Sequence, residues 1–157
     1  MKKLKILEKS FLAIFVLAST CFTFGILFMD KHYFLSPIAY EHDRVIRFDG
    51  RGDGMFGAER SGNRLHKGID LLAKIGTPVL ASASGKVVAA TRNHGMGNYV
   101  IITHARDLVT LYGHLQHIYV RKGQYVRQGE VVGSVGKTGN ANYRDMLPHL
   151  HFEVRKG

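Results

Sequence analysis

The chain has 157 residues, a formal net charge of +10 and a pI near 9.9. That length fits one domain with appendages, and the single cysteine, Cys21, excludes an intrachain disulfide. A basic surface suits nucleic acid, anionic lipid or an anionic polymer such as cell wall, but no nucleic-acid motif with interleaved aromatics is present, so no nucleic-acid partner is expected.

Residues 1–10 form a basic tail, with Lys2, Lys3, Lys5 and Lys9 against Glu8. Phe11 to Met29 is an uncharged apolar run of 19 residues. Such a run is long enough to cross a bilayer as one helix. The lysines before it predict a cytoplasmic N-terminus and an exported remainder. A cleavable signal peptide ending near Ala18-Ser19-Thr20-Cys21 is the rival reading. The sequence stays apolar from Phe22 to Met29, beyond that site, so an uncleaved anchor at 11–29 is expected. Residues 30–44 read as a linker that spans at most ~50 Å when extended.

From residue 45 to 157 the pattern is that of a β domain. Val79-Leu80-Ala81, Gly85 to Ala90, Tyr99 to His104, Val109 to Tyr112 and Glu130 to Val135 are short β-prone runs separated by glycine turns or polar loops. No amphipathic helix follows the anchor. A mainly β fold built on a twisted antiparallel sheet is predicted. Arg51-Gly52-Asp53 matches an adhesion tripeptide, which a glycine-rich loop produces by chance.

Three constellations carry chemistry. The first is His66-Lys67-Gly68-Ile69-Asp70, where Gly68 argues for a loop entering a strand rather than a helix face. The second is Tyr112-Gly113-His114. On a regular strand, Val109, Leu111 and Gly113 share one face, and Thr110, Tyr112 and His114 share the other. The third is Pro148-His149-Leu150-His151-Phe152-Glu153-Val154. Alternation points Leu150, Phe152 and Val154 to a core and places His149, His151 and Glu153 on the opposite face. The two imidazoles are then roughly 7 Å apart along the strand. Zinc takes imidazole nitrogen and carboxylate oxygen, and a catalytic zinc keeps three protein ligands and one open position. His66, Asp70 and His151 would supply such a set. Taken singly, each motif is also what a surface turn or a solvated strand edge carries.

In order and spacing, H-x-G-x-D, Y-G-H-L and H-L-H-F-E resemble the lysostaphin-type (LytM-like) zinc endopeptidases. Gly76-Thr77-Pro78-Val79, Ala83-Ser84-Gly85-Lys86-Val87, Gly97-Asn98-Tyr99-Val100 and Gly129-Glu130-Val131-Val132-Gly133 match that family's supporting turns. The resemblance covers Asp49 to Arg155. It implies a LytM-like fold with a duplicated hybrid motif. It implies that His66, Asp70 and His151 bind one Zn²⁺ per chain, with His114 and His149 as the catalytic pair. It implies peptidoglycan peptides as substrate, and with the anchor it implies the bacterial inner (cytoplasmic) membrane, the catalytic domain facing the periplasm or the extracellular side. Non-catalytic modules of the same fold, which bind cell wall or activate another hydrolase, usually lack some metal ligands; all five residues are present here. Tyr112 stays open between supporting an oxyanion and packing beneath the site. His104 reads as structural, and His32, His42, His94 and His117 as solvent-facing.

Overall fold

The computed structural model describes residues 12–20, 30, 33–40 and 44–157. Residues 12–20 of the expected anchor are helical and exposed, while the basic tail, Phe11, residues 21–29, His32 and His42 lie outside the described residues. Among the described residues, no helix is long and apolar enough to cross a membrane.

The domain is built from β1 (Phe48–Asp49), β2 (Gly52–Asp53), β3 (Glu59–Arg60), β4 (Arg64–Leu65), β5 (Ile69–Leu72), β6 (Pro78–Leu80), β7 (Gly85–Asn93), β8 (Gly97–His104), β9 (Leu108–Ile118), β10 (Tyr125–Val126), β11 (Val131–Val135) and β12 (His149–Lys156). The first four strands make two small hairpins, β1–β2 and β3–β4. The rest form one sheet in the order β10-β7-β8-β9-β11-β6, with β12 between β9 and β5. Their pairings are antiparallel. The β-branched and aromatic residues of β7, β8 and β9 suit a pleated, half-buried surface. Val87, Val100, Ile102, Tyr112, Leu115, Val132, Val135 and Leu150 close the core on one side of that surface.

β9 changes partners along its length. Leu108 to Gly113 pair with β12, whereas Leu115 to Ile118 pair with β11. The change falls at His114, whose φ is +60°. Opposite it on β8, Asn98 pairs with Leu115 and Val100 with Tyr112, so β9 carries one extra residue. This is a β-bulge, which bends a strand and re-aims side chains beside active sites. It corrects the alternation expected for Tyr112 and His114. Tyr112 turns into the core against Phe152, ring centroids 5.4 Å apart, while His114 faces the β12 histidines.

Two further expectations are revised. Val154 is 48 % exposed rather than in the core, because it lies past Phe152, where β12 ends its pairing with β5. Within 30–44, residues 33–40 are packed onto the domain instead of merely connecting to it. Ile38 is 1 % exposed within the core, and Phe34 and Tyr40 pack against that core. Leu35 N–H donates to Ser82 O and Leu80 N–H to Pro37 O, each at 2.8 Å.

Candidate metal centre and catalytic cleft

His66 leaves the β3–β4 hairpin held by its backbone. Its N–H donates to Ala58 O and its carbonyl accepts from Gly57 N–H, both at 2.9 Å. The chain then crosses over β12 at Gly68, where a Cβ would lie 2.4 Å from Phe152 O. Only glycine fits that crossing, and this is why glycine interrupts the His66–Asp70 spacing. Asp70 on β5 then stands opposite His151 on β12.

Three donor atoms converge. His66 Nε2 lies 3.0 Å from His151 Nδ1 and 3.1 Å from Asp70 Oδ1, and His151 Nδ1 lies 2.9 Å from that oxygen. The far side of each imidazole is committed. His66 Nδ1 faces Met55 O at 2.8 Å and His151 Nε2 faces Glu153 Oε1 at 2.8 Å. Each acceptor demands a proton from the nitrogen it faces, which leaves His66 Nε2 and His151 Nδ1 with bare lone pairs. Two lone pairs and a carboxylate oxygen facing one another at this range repel unless a cation lies among them. Tetrahedral zinc with bonds near 2.0–2.1 Å sets its ligands about 3.3 Å apart, close to this triangle. The donor set therefore fits Zn²⁺. Glu153 behind His151 is the carboxylate partner that metal-binding histidines commonly carry.

Asp70 is fixed from its other oxygen. Arg47, 2 % exposed, donates Nε and Nη2 to Asp70 Oδ2 at 3.3 and 3.1 Å. Its Nη1 donates to Asp49 Oδ1 at 2.6 Å. Asp49 Oδ2 in turn accepts Leu147 N–H at 2.9 Å, and Leu147 O accepts His149 Nδ1–H at 2.7 Å. One chain of bonds thus runs from Asp70, a candidate metal ligand, to His149.

That bond to Leu147 leaves His149 Nε2 unprotonated, 3.9 Å from Asp70 Oδ1. His114 Nδ1 donates to Thr138 O at 3.0 Å, so its Nε2 is free as well. The His114 ring lies 5.0 Å from that of His149 and 5.7 Å from that of His151. All five sequence-predicted residues line one cleft of about 750 Å³. Burial first, then the His149 and His151 charges, depress His114 to a pKa of about 3. Burial likewise lowers His149, against the pull of Asp70. Without a cation among the three donors, His151 goes the other way: burial opposes its charged form, but donation from Nδ1 to Asp70 and from Nε2 to Glu153 outweighs it. In that same protonated arrangement Asp70 is held well below the usual carboxylate range; burial works against this, and hydrogen bonds from His151 and His66 overcome it.

The other described histidines, His94, His104 and His117, stand apart from the cleft. His104 bridges Ser84 O and Thr110 Oγ1, and Thr110 and Ser82 N–H both donate to the Tyr112 hydroxyl. Tyr112 is therefore a satisfied core residue. His94 and His117 are exposed. Sequence reasoning left three residues unassigned. Glu153 was visible as the acid two positions after His151 on the imidazole face, but Arg47 gave no pattern and Asp49 only opened the glycine-rich stretch of the resemblance, because their partners are distant in sequence.

Comparisons with known proteins bear on the fold and the family. Over 92 residues, 59 % of this chain, the sequence is 50 % identical to the DD-carboxypeptidase/endopeptidase Mpg of Neisseria meningitidis serogroup B. The chain spans 20 % of that protein's length. The catalytic domain of the antimicrobial peptidase lysostaphin from Staphylococcus simulans superposes with a TM-score of 0.56 at 34 % identity, over 69 % of this chain and 79 % of that one. A chain of the SpoIIIAH–SpoIIQ complex superposes with a TM-score of 0.63 at 29 % identity, over 78 % and 92 %. Residues 64–157 match the family model described as peptidase family M23. That stretch holds all five cleft residues, from His66 to His151, and the chain belongs to peptidase family M23.

Proposed function

We propose that this chain is a membrane-anchored, zinc-dependent endopeptidase that hydrolyses peptide bonds in peptidoglycan. The convergence of His66, Asp70 and His151 through unprotonated donors carries the reading. A zinc ion held there would polarise a scissile carbonyl and lower the pKa of a water to about 7.

The protein's own residues do the rest. His149 offers a free Nε2 beside Asp70, oriented by its bond to Leu147 O. Burial keeps both His149 and His114 neutral, so each presents an unprotonated Nε2 near pH 7, but His114, at a pKa of about 3, is a weak proton acceptor there. One imidazole takes the proton of the attacking water and returns it to the leaving amine, help typically worth about 10²–10⁴-fold. The second lies 5.0 Å away, ring to ring, and can share that proton. The cleft is edged by Arg60, Arg64 and Lys67, which suits a substrate bearing carboxylates. The named activity of the Mpg relative supports a bond between D-amino acids.

The likeness to a chain of a two-protein complex keeps a second reading in view: a non-catalytic module that binds wall or activates another hydrolase. One experiment separates them. The zinc-loaded full chain is incubated with purified peptidoglycan, and released fragments are identified by mass spectrometry. New peptide termini, absent with His149→Ala, support the enzyme; intact peptidoglycan with a full complement of zinc supports the module.

A further inference from the structure

Beside the zinc-ligand cleft lies a second cavity of about 540 Å³. Arg92, Lys137, Arg144 and His94 line it, and no carboxylate does. Among the described residues, none of these three fixed cations is in an ion pair, whereas Arg47, Arg51, Arg60 and Arg155 each are. Three unpaired like charges around one hollow repel one another, and an anion between them relieves that repulsion.

The floor of this cavity is rigid and belongs to the catalytic apparatus. It is made by the turn at 93–97 and the segment Thr138 to Asn142. The two meet back to back at Gly97 (φ +63°) and Gly139 (φ +69°), where a Cβ on Gly139 would lie 2.2 Å from Gly97 N. Asn140 N–H donates to Gly95 O, and Asn98 N–H to Thr138 Oγ1, each at 2.9 Å. The same two segments hold His114: its N–H donates to Met96 O at 2.8 Å and its Nδ1 to Thr138 O at 3.0 Å. The spacing between the basic cavity and His114 is thus set by backbone. Tyr143 lines both the cavity and the cleft, so one extended ligand can pass from one to the other.

We infer that this cavity is an anion subsite for the peptide substrate, taking a carboxylate remote from the bond that lies at His66, Asp70 and His151. The inference rests on the endopeptidase reading and extends it to substrate selection. Arg and Lys side chains recognise a carboxylate by charge-assisted hydrogen bonds. The shared Tyr143 wall favours a peptide running out of the cleft over a separate phosphate polymer.

The test uses the zinc-loaded full chain in detergent and two synthetic peptides containing one bond between D-amino acids. They are identical except that the remote carboxylates of one are amides. Equilibrium binding is measured in the turnover-deficient His149→Ala background, without the Lys137→Gln/Arg144→Gln pair (the parent) and with it (the double variant), and hydrolysis is followed separately in the same proteins carrying His149. The parent should bind the carboxylate form about tenfold more tightly. In the double variant that ratio should fall to within about twofold of unity. A ratio near unity in the parent, or one unchanged in the double variant, overturns the subsite. So does poly(glycerol phosphate) binding the cavity more tightly than the carboxylate peptide. Hydrolysis without a binding ratio retains the peptidase and discards the subsite. A binding ratio without hydrolysis supports the subsite and counts against the peptidase.

Discussion

Glu153→Gln isolates the part of the metal centre that no ligand supplies. The Glu153 side chain is 1 % exposed and its Oε1 accepts His151 Nε2–H at 2.8 Å. Glutamine keeps the shape and can still present a carbonyl oxygen to that N–H, but it removes the charge. Hydrogen bonds to charged groups are worth about 1.5–3 kcal/mol and neutral ones about 0.5–1.5. The difference, near 1–1.5 kcal/mol, corresponds to roughly a tenfold loss of zinc affinity. Glu153→Leu removes the acceptor altogether, and its loss should approach the upper end of the known range for such partners, about 100-fold. Arg155 also bonds Glu153, but its side chain is 46 % exposed and can turn to water, so its release adds little. Zinc affinity is read by competition with a chromophoric chelator at pH 7.5, with thermal unfolding of the zinc-free protein alongside. A Glu153→Gln protein that binds zinc within twofold of the parent would refute a contribution of the Glu153 charge, and a Glu153→Leu protein that does so would refute its hold on the His151 tautomer.

The other predictions are these. Arg47→Met takes a paired cation from buried Asp70, which keeps Arg60 at 3.5 Å, and from half-buried Asp49, and should cost about 3 kcal/mol in urea unfolding; a loss under ~1 kcal/mol would show that the Arg47 chain of bonds is idle. In chelator-treated protein, His114 has a folded pKa of about 3, below its unfolded value. Its neutral form therefore stabilises fully above about pH 6.5, and that stability fades as pH falls towards 3, by about 3 kcal/mol between pH 7 and pH 4. His149, also lowered, adds in the same direction, whereas His151, raised, opposes it; His114→Asn should flatten the slope of unfolding free energy against pH, and an unchanged slope contradicts the assignment. His149→Ala and His114→Ala should each keep zinc but lose about 10²–10⁴ in turnover, and the double variant should lose less than the product; parental rates in both would remove them from the reaction. N-terminal sequencing of the membrane-extracted protein should find Phe11 to Met29 still attached, and a mature chain starting after residue 20 would instead mean a cleaved leader.

Much of the site was legible because strand periodicity and metal chemistry act over short spans. His66 and Asp70 sit in one motif, and the alternation of His149, Leu150, His151 and Phe152 survives in the fold, with both histidines on the cleft side and both apolar residues in the core. What failed were places where a long-range pairing overrides local period. The bulge at His114 exists because β9 passes from β12 to β11 there, and nothing between Val109 and His114 announces a change of neighbour. Arg47 and Asp49 act on residues 23 and 98 positions away, so their roles are a property of the folded chain. The docked segment was hidden for a similar reason: Phe34, Leu35, Ile38 and Tyr40 follow neither a strand nor a helix period, and the burial of Ile38 depends on a surface assembled from β6 and its neighbours.

β12 completes the domain late. It inserts between β5 and β9, and its His151 meets an aspartate 81 positions earlier. A chain emerging from its N-terminus therefore presents two bare strand edges until β12 arrives, a stage prone to sticking to other chains. During that interval His66 and Asp70 have no third ligand, and neither His149 nor the His151–Glu153 pair exists. On the proposed function, a half-made copy can neither grip zinc firmly nor cut anything. Insertion of one strand seals the sheet and, on the same reading, assembles the metal ligands and delivers a proton carrier at once. Metal uptake should then lock that strand in place, so zinc scarcity would show first as slow or failed maturation rather than as a folded enzyme waiting for its ion.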